Sequence, residues 1–233
     1  LKINNTRAYG AEVVLYDRVA GESREEIGEA IAAERGLSLI KPYDNEDVIG
    51  GQGTTGLEIA RQAATEGMTS GEVLVCCGGG GLTSGIALAL ERDMPGAVVR
   101  PVEPQGFDDV ARSLAAGAIQ RNNATTGSVC DAIVTPAPGQ MTFPLMQRLC
   151  GPGLVVSDAD CLAAMRHAFL RLKIVIEPGG AAALAAALFH GDAIEGDTVL
   201  VVATGGNADP ELFAKVLTTG DAASPISPSP RST

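Results

Sequence analysis

The chain has 233 residues, 17 Lys and Arg against 28 Asp and Glu, and a formal net charge of −11. That length is enough for a buried core in one large or two small domains, and an acidic balance without a Lys/Arg cluster argues against nucleic acid or an anionic membrane as partner. Apolar residues make up 45% and aromatics only 3%, so the core is drawn from Ala, Val, Leu and Ile, in runs too short for a membrane span.

Leu1 to Ala8 carry neither an initiator Met nor a secretory signal and read as the interior of a longer polypeptide. Residues 11–16 (Ala-Glu-Val-Val-Leu-Tyr) predict a strand. Ser23, with Glu26 three residues on, forms a capping box that opens a helix closed by Gly36. Leu37 to Ile40 predict a second short strand, followed by a polar turn around Pro42 to Asp47 and a helix from about Thr55 to Glu66. Glu72 to Cys77 predict a strand that runs into four glycines and a helix over Leu82 to Arg92. Ala97 to Glu103 predict a strand, Asp108 to Ala116 a helix, and residues 122–139 a loop. Ser157 caps a helix from Asp158 to Lys173, residues 181–189 form a buried helix, and Thr198 to Ala203 form a last strand. The Ser/Pro-rich end, residues 221–233, reads as a disordered tail. This alternation predicts an α/β architecture with mostly parallel strands.

The strongest local signal is Val73-Leu-Val-Cys-Cys-Gly78-Gly-Gly-Gly81-Leu82. A buried strand delivers four residues without Cβ atoms, and a helix starts at once, so successive N–H groups can converge on an anion at the positive end of a helix. The carboxyl end of a parallel strand is also where open α/β sheets bind ligands. Gly51-Gln-Gly53-Thr-Thr-Gly56 matches a dinucleotide fingerprint in letters only. It lacks the full preceding strand, and the next strand ends in Cys76-Cys77 rather than an acidic residue. Thr204-Gly205-Gly206-Asn207 follows the last strand and serves either a ligand ring or a helix cap. Glu103 to Asp109 place carboxylates just after a strand, as oxygen ligands for Mg²⁺ or Ca²⁺ or as the acidic start of a helix. Glu177-Pro-Gly-Gly-Ala181 reads on its own as a loop and helix start.

Five cysteines without CxxC spacing and two histidines, His167 and His190, away from ligand spacing give poor support for zinc. A reduced, cytoplasmic setting is the default for such thiols.

In chain order, Tyr9-Gly-Ala-Glu-Val-Val14, Val48-Ile-Gly-Gly-Gln-Gly-Thr54, Gly78-Gly-Gly-Gly-Leu82, Glu103-Pro104, Cys130-Asp-Ala132, Val156-Ser-Asp158, Glu177-Pro-Gly-Gly-Ala181 and Thr204-Gly-Gly-Asn207 carry a resemblance. Together they resemble the serine/threonine dehydratase family of pyridoxal-phosphate enzymes, which includes serine racemase and threonine ammonia-lyase. The match runs from Lys2 to about residue 218.

The resemblance implies the fold type II architecture, α/β with two open twisted sheets and helices on both faces, here N-terminally incomplete. Residues 1–50 would be the remainder of the smaller domain and 51–220 most of the larger, cofactor-binding one. It implies pyridoxal 5'-phosphate as cofactor, with Gly78, Gly79, Gly80, Gly81 and Leu82 at its phosphate and Thr204 at its pyridine nitrogen. It also implies a divalent-cation site at Glu103, the backbone of Phe107, and Asp109. The implied reaction is dehydration of L-threonine or L-serine to a 2-keto acid and ammonia, by a homo-oligomer (dimer or tetramer) acting on a small amino acid. Serine racemisation and 3-hydroxyaspartate dehydration are the rivals, and a catalytically inactive ligand-binding remnant is another. The family's Schiff-base lysine lies in a Ser-x-Lys context that these residues lack, so it is expected upstream of residue 1 and no catalytic residue is assigned. Lys2, Lys41, Lys173 and Lys215 have no sequence context placing them at the glycine loop.

Overall fold

The computed structural model describes residues 2–17 and 20–218, and the expected tail lies outside them. Helices α1 (Lys2–Ala8) and α2 (Arg24–Arg35) come first. The Ser23 hydroxyl accepts from the Glu26 N–H at 3.2 Å, and Gly36 closes α2 in the left-handed region at φ 65°. Neither helix buries a residue. The strands expected at 11–16 and 37–40 do not form; both segments lack ladder partners, with Val14 50% and Ile40 75% exposed. Apolar, β-branched residues make a strand only where a neighbour supplies hydrogen bonds and a face to pack on.

Helix α3 (Glu46–Thr65) starts earlier than expected. The Asn45 side chain accepts from the Val48 N–H at 3.1 Å, and Glu46 and Asp47 occupy the first turn, at the positive end of the helix dipole. The polar stretch read as a turn is therefore a helix start. The helix runs through residues 50 and 51, where the boundary between the two domains is expected. Gly51 to Gly56 lie inside it, so the fingerprint match is coincidental, as the sequence suggests. The role of these glycines is packing: a Cβ on Gly56 would stand 2.8 Å from the Ile86 carbonyl oxygen.

Strand β1 (Ser70–Cys76), α4 (Gly81–Asp93), β2 (Gly96–Pro104) and α5 (Asp109–Ala116) follow within a residue or two of expectation. Two elements, α6 (Thr142–Leu149) and β3 (Leu154–Val156), occupy a stretch the sequence reading leaves blank. Helix α7 (Asp158–His167) opens with a reciprocal Ser157–Asp160 capping box and continues as one π-helical turn, Ala168–Leu172. Then come α8 (Pro178–Phe189), β4 (Val199–Val202) and α9 (Pro210–Thr218).

The four strands form one parallel sheet in the order β3-β2-β1-β4. Alternation along β1 sends Leu74 and Cys76 to one face and Val73 and Val75 to the other. The first face packs on α7 and α8, where Ala181, Ala182, Ala183, Ala185 and Ala186 are fully buried. The second packs on α3 and α4 through Ala63, Ile86 and Leu90. With helices on both sides, the strands are apolar throughout, as parallel strands require.

At the amino ends of the strands a buried ion pair joins Arg100 of β2 to Glu72 of β1 at 3.0 Å. Arg100 also donates to the carbonyls of Pro152 (2.8 Å) and Ala193 (2.6 Å), and Glu72 accepts from the Glu195 N–H at 3.0 Å. The pair thereby anchors the segments leading into β3 and β4. Its hydrogen bonds are filled on every side, which is what makes a buried pair tolerable.

Candidate functional site

The carboxyl end of β1 and the loop after it are the floor of the site. Cys76 and Cys77 are buried thiols, and burial pushes the Cys76 thiol up to about 12. These sulfurs act as small core atoms and not as nucleophiles. Gly80 lies in the left-handed region at φ 93° and leads into α4. A Cβ there would stand 2.5 Å from Met146 Cε, so both backbone and packing require glycine. The loop is held from below: the Gly79 carbonyl accepts from the Thr142 hydroxyl at 2.6 Å and from the Gly139 N–H at 3.2 Å.

Among the described residues the amides of Gly78, Gly79, Gly80, Gly81 and Leu82 meet no protein acceptor. Five neighbouring unpaired donors at the start of a helix fit a multiply charged oxyanion such as a phosphate monoester. They border a cavity of about 620 Å³ lined by Gly78 to Thr83, Asp131 to Pro136 and Thr204. Thr204 is brought there by β4 and by α8, since its N–H donates to the Gly180 carbonyl at 3.4 Å. A Cβ on Gly180 would overlap the Thr204 carbonyl oxygen. The glycine loop and Thr204, about 120 residues apart, thus share one cavity at the carboxyl edge of the sheet.

Two side chains escape the sequence reading. The Tyr43 ring packs against Gly79 and Gly81, in space that only glycines leave free. Burial first, and then the nearby Glu25 carboxylate, raise its phenol above the ordinary value. Lys2 is the second: its Nζ lies 3.2 Å from Glu177 Oε2 and 3.8 Å from Asp131 Oδ1, and Asp131 lines the cavity. Glu177 opens α8, with its N–H donating to the Gly205 carbonyl at 2.7 Å. Nothing in the sequence around Lys2 signals this pairing, because it joins the chain's first helix to a turn 175 residues on.

The residues expected to hold a cation do not fit one. Glu103 is fully buried, and its two carboxylate oxygens accept from the N–H groups of Val110 (2.9 Å) and Ala111 (2.7 Å), capping α5. Asp109 Oδ1 accepts from the Asn122 amide at 2.6 Å, while its Oδ2 is buried without a partner. Phe107 is packed, 4% exposed. Burial and the neighbouring Asp109 hold Glu103 well above the ordinary carboxylate range, and burial lifts Asp109 to about 6. A divalent cation needs ionised, open oxygen ligands. No group of three or more His, Cys, Asp or Glu side chains set to hold a metal occurs among the described residues. This is the acidic helix start, the other of the two readings the sequence leaves open.

No helix among the described residues is long and apolar enough to cross a membrane.

Comparison with known proteins agrees with the geometry. The L-threo-3-hydroxyaspartate ammonia-lyase of Pseudomonas sp. is 38% identical over 93% of this chain and 66% of its own length. The serine racemase of Schizosaccharomyces pombe is 33% identical over 93% of this chain and 65% of its own length. The chain thus spans slightly less than two thirds of the length of these curated relatives. Among solved structures, the threonine deaminase of T.th. superposes with a TM-score of 0.82 at 42% identity, over 89% of this chain and 67% of that one. Maize serine racemase gives 0.81 at 31% identity, over 92% and 64%. The expected fold type II α/β architecture is therefore shown. The family model described as "Pyridoxal-phosphate dependent enzyme" matches residues 1–205, and with it the glycine loop and Thr204. The chain belongs to that family of pyridoxal-phosphate dependent enzymes.

Proposed function

We propose that this chain carries the cofactor-binding body of an ammonia-lyase that dehydrates a short β-hydroxy amino acid, L-threonine or L-serine, to a 2-keto acid and ammonia. The observation that carries the reading is the run of unpaired amides from Gly78 to Leu82, opening on the cavity that Thr204 shares. In this reading those amides bind the phosphate of pyridoxal phosphate, and the Thr204 hydroxyl meets its ring nitrogen. The cofactor, when bound, supplies an electron sink for the bond broken at Cα. A neutral hydroxyl does not hold a proton on a ring nitrogen as a carboxylate would, which suits loss of a β-hydroxyl better than amino-group transfer. Residues 1–50 serve as part of a smaller unit at the mouth of the cavity and 51–220 as the larger unit. The assembly is a cytoplasmic homo-oligomer, consistent with five free thiols.

A second reading, dehydration of 3-hydroxyaspartate, is supported by the 38% identical relative that carries that name. A third, a remnant that binds cofactor without catalysis, is separated by titration. The chain should bind pyridoxal phosphate, with an absorbance change and heat by calorimetry. Gly80→Val should abolish both, because a β-branched residue at φ 93° next to Met146 closes the loop. Binding that is absent in the parent chain, or equal in the two versions, would rule the reading out.

A further inference from the structure

The charged side chains on the cavity wall are Glu22, Arg24, Glu25, Arg121 and Asp131. Glu22 accepts from the Asp17 N–H at 2.6 Å, Arg24 donates to Glu25 at 2.5 and 3.2 Å, and Asp131 lies 3.8 Å from the Lys2 ammonium. Arg121 differs: among the described residues its guanidinium has no carboxylate partner, although its backbone is fixed. The Arg121 carbonyl accepts from Arg112 at 3.2 Å, and the next residue, Asn122, is bound to the Pro136 and Thr135 carbonyls at 2.9 and 2.8 Å. Neighbouring segments therefore present Arg121 and Thr135 to the same cavity. The Thr135 hydroxyl is buried there without a hydrogen-bond partner.

We propose that Arg121, with the Thr135 hydroxyl, forms an anion subsite that selects a β-hydroxy amino acid bearing a second carboxylate on its side chain. A guanidinium is a planar fork that matches a carboxylate with two parallel N–H···O bonds, and a hydroxyl donor beside it completes the set. A methyl group or hydrogen in the place of that carboxylate leaves both groups unpaired, which penalises the threonine and serine side chains relative to 3-hydroxyaspartate. The inference rests on the reading of the cavity as the pyridoxal-phosphate pocket and names the substrate side chain within it.

The test is calorimetry with L-aspartate and L-serine, run with and without pyridoxal phosphate, on the parent chain, Arg121→Gln and Arg24→Gln. The parent should bind L-aspartate more tightly than L-serine. Arg121→Gln should lower that preference by about tenfold, the effect of one charge-assisted hydrogen bond, and Arg121→Lys should restore part of it. Absence of any preference in the parent, an unaltered ratio in Arg121→Gln, or a loss confined to Arg24→Gln would each overturn the inference. A weaker affinity for pyridoxal phosphate in Arg121→Gln, with the ratio retained, would assign the arginine to the cofactor phosphate and overturn it too. Failure of the cofactor reading looks different: no version changes the absorbance of pyridoxal phosphate, while the preference for L-aspartate persists without it.

Discussion

Gly180 shows how a single absent side chain sets the position of a ligand-facing group. The space a Cβ would fill is taken by the Thr204 carbonyl, and α8 and the end of β4 are held together at that contact. Gly180→Ala should lower stability by roughly 1–3 kcal/mol, the usual range for overpacking, and weaken cofactor binding in the same protein. Thermal melting and absorbance titration measure the two effects; a destabilised chain with intact cofactor affinity would show that Thr204 plays no part. Lys2 presents the opposite situation, a reactive side chain held idle. Its ammonium lies between two carboxylates and would have to leave both to attack a carbonyl group. Borohydride reduction of the cofactor-loaded chain, followed by peptide mapping, should therefore give no adduct on Lys2, nor on Lys41, Lys173 or Lys215. A stable adduct on any of them, with keto-acid formation from threonine or serine, would refute this.

The capped start of α5 carries a pH dependence of its own. Asp109 has a folded-state value of about 6 against an ordinary 3.8, and Glu103 is shifted in the same direction. A carboxyl group with a raised value binds its proton more strongly in the fold than in the unfolded chain. Its contribution is fully present below the ordinary value and is lost as pH rises through about 6. Denaturant unfolding should thus show Asp109 withdrawing roughly 2–3 kcal/mol between about pH 4 and pH 7. Asp109→Asn should flatten that part of the profile, and an equally steep profile in the variant would count against the assignment.

The elements legible in the sequence are those with a local cause. Ser23, Ser157 and Gly36 cap helices whatever surrounds them, and the strand–glycine–helix run around Gly78 states its geometry outright. Residues 11–16 and 37–40 have strand composition, yet a strand depends on a partner that propensity does not report. Strand β3 is only three residues long, and Lys2 and Tyr43 reach the site through tertiary packing, so neither periodicity nor motif reveals them.

On the scale of the whole molecule, the sheet is closed on neither side. Strand β4 pairs only with β1 among the described residues. Beside its free edge runs a groove lined by Ile59, Ala63, Met68, Leu200 and Val202. An unpaired parallel edge flanked by apolar side chains is a template for association. Light scattering should show concentration-dependent self-association of the chain, and Val199→Lys, at a position 38% exposed on that strand, should reduce it. A strictly monomeric parent at high concentration would contradict this.

The pairing of β4 with β1 also has a consequence for time. The Glu195 N–H meets the Glu72 carboxylate across 123 residues of chain, and β4 docks on β1 only after every other strand has been made. Contacts so distant in sequence make folding slow. On a ribosome, which releases the N-terminal part first, β1, β2 and β3 can assemble while the edge awaiting β4 stays uncovered. Thr204, at the far end of β4, takes its place last. Cofactor capture therefore reports completion of synthesis: a nascent chain stalled before residue 199 would have its glycine loop built and still lack the other wall of the cavity.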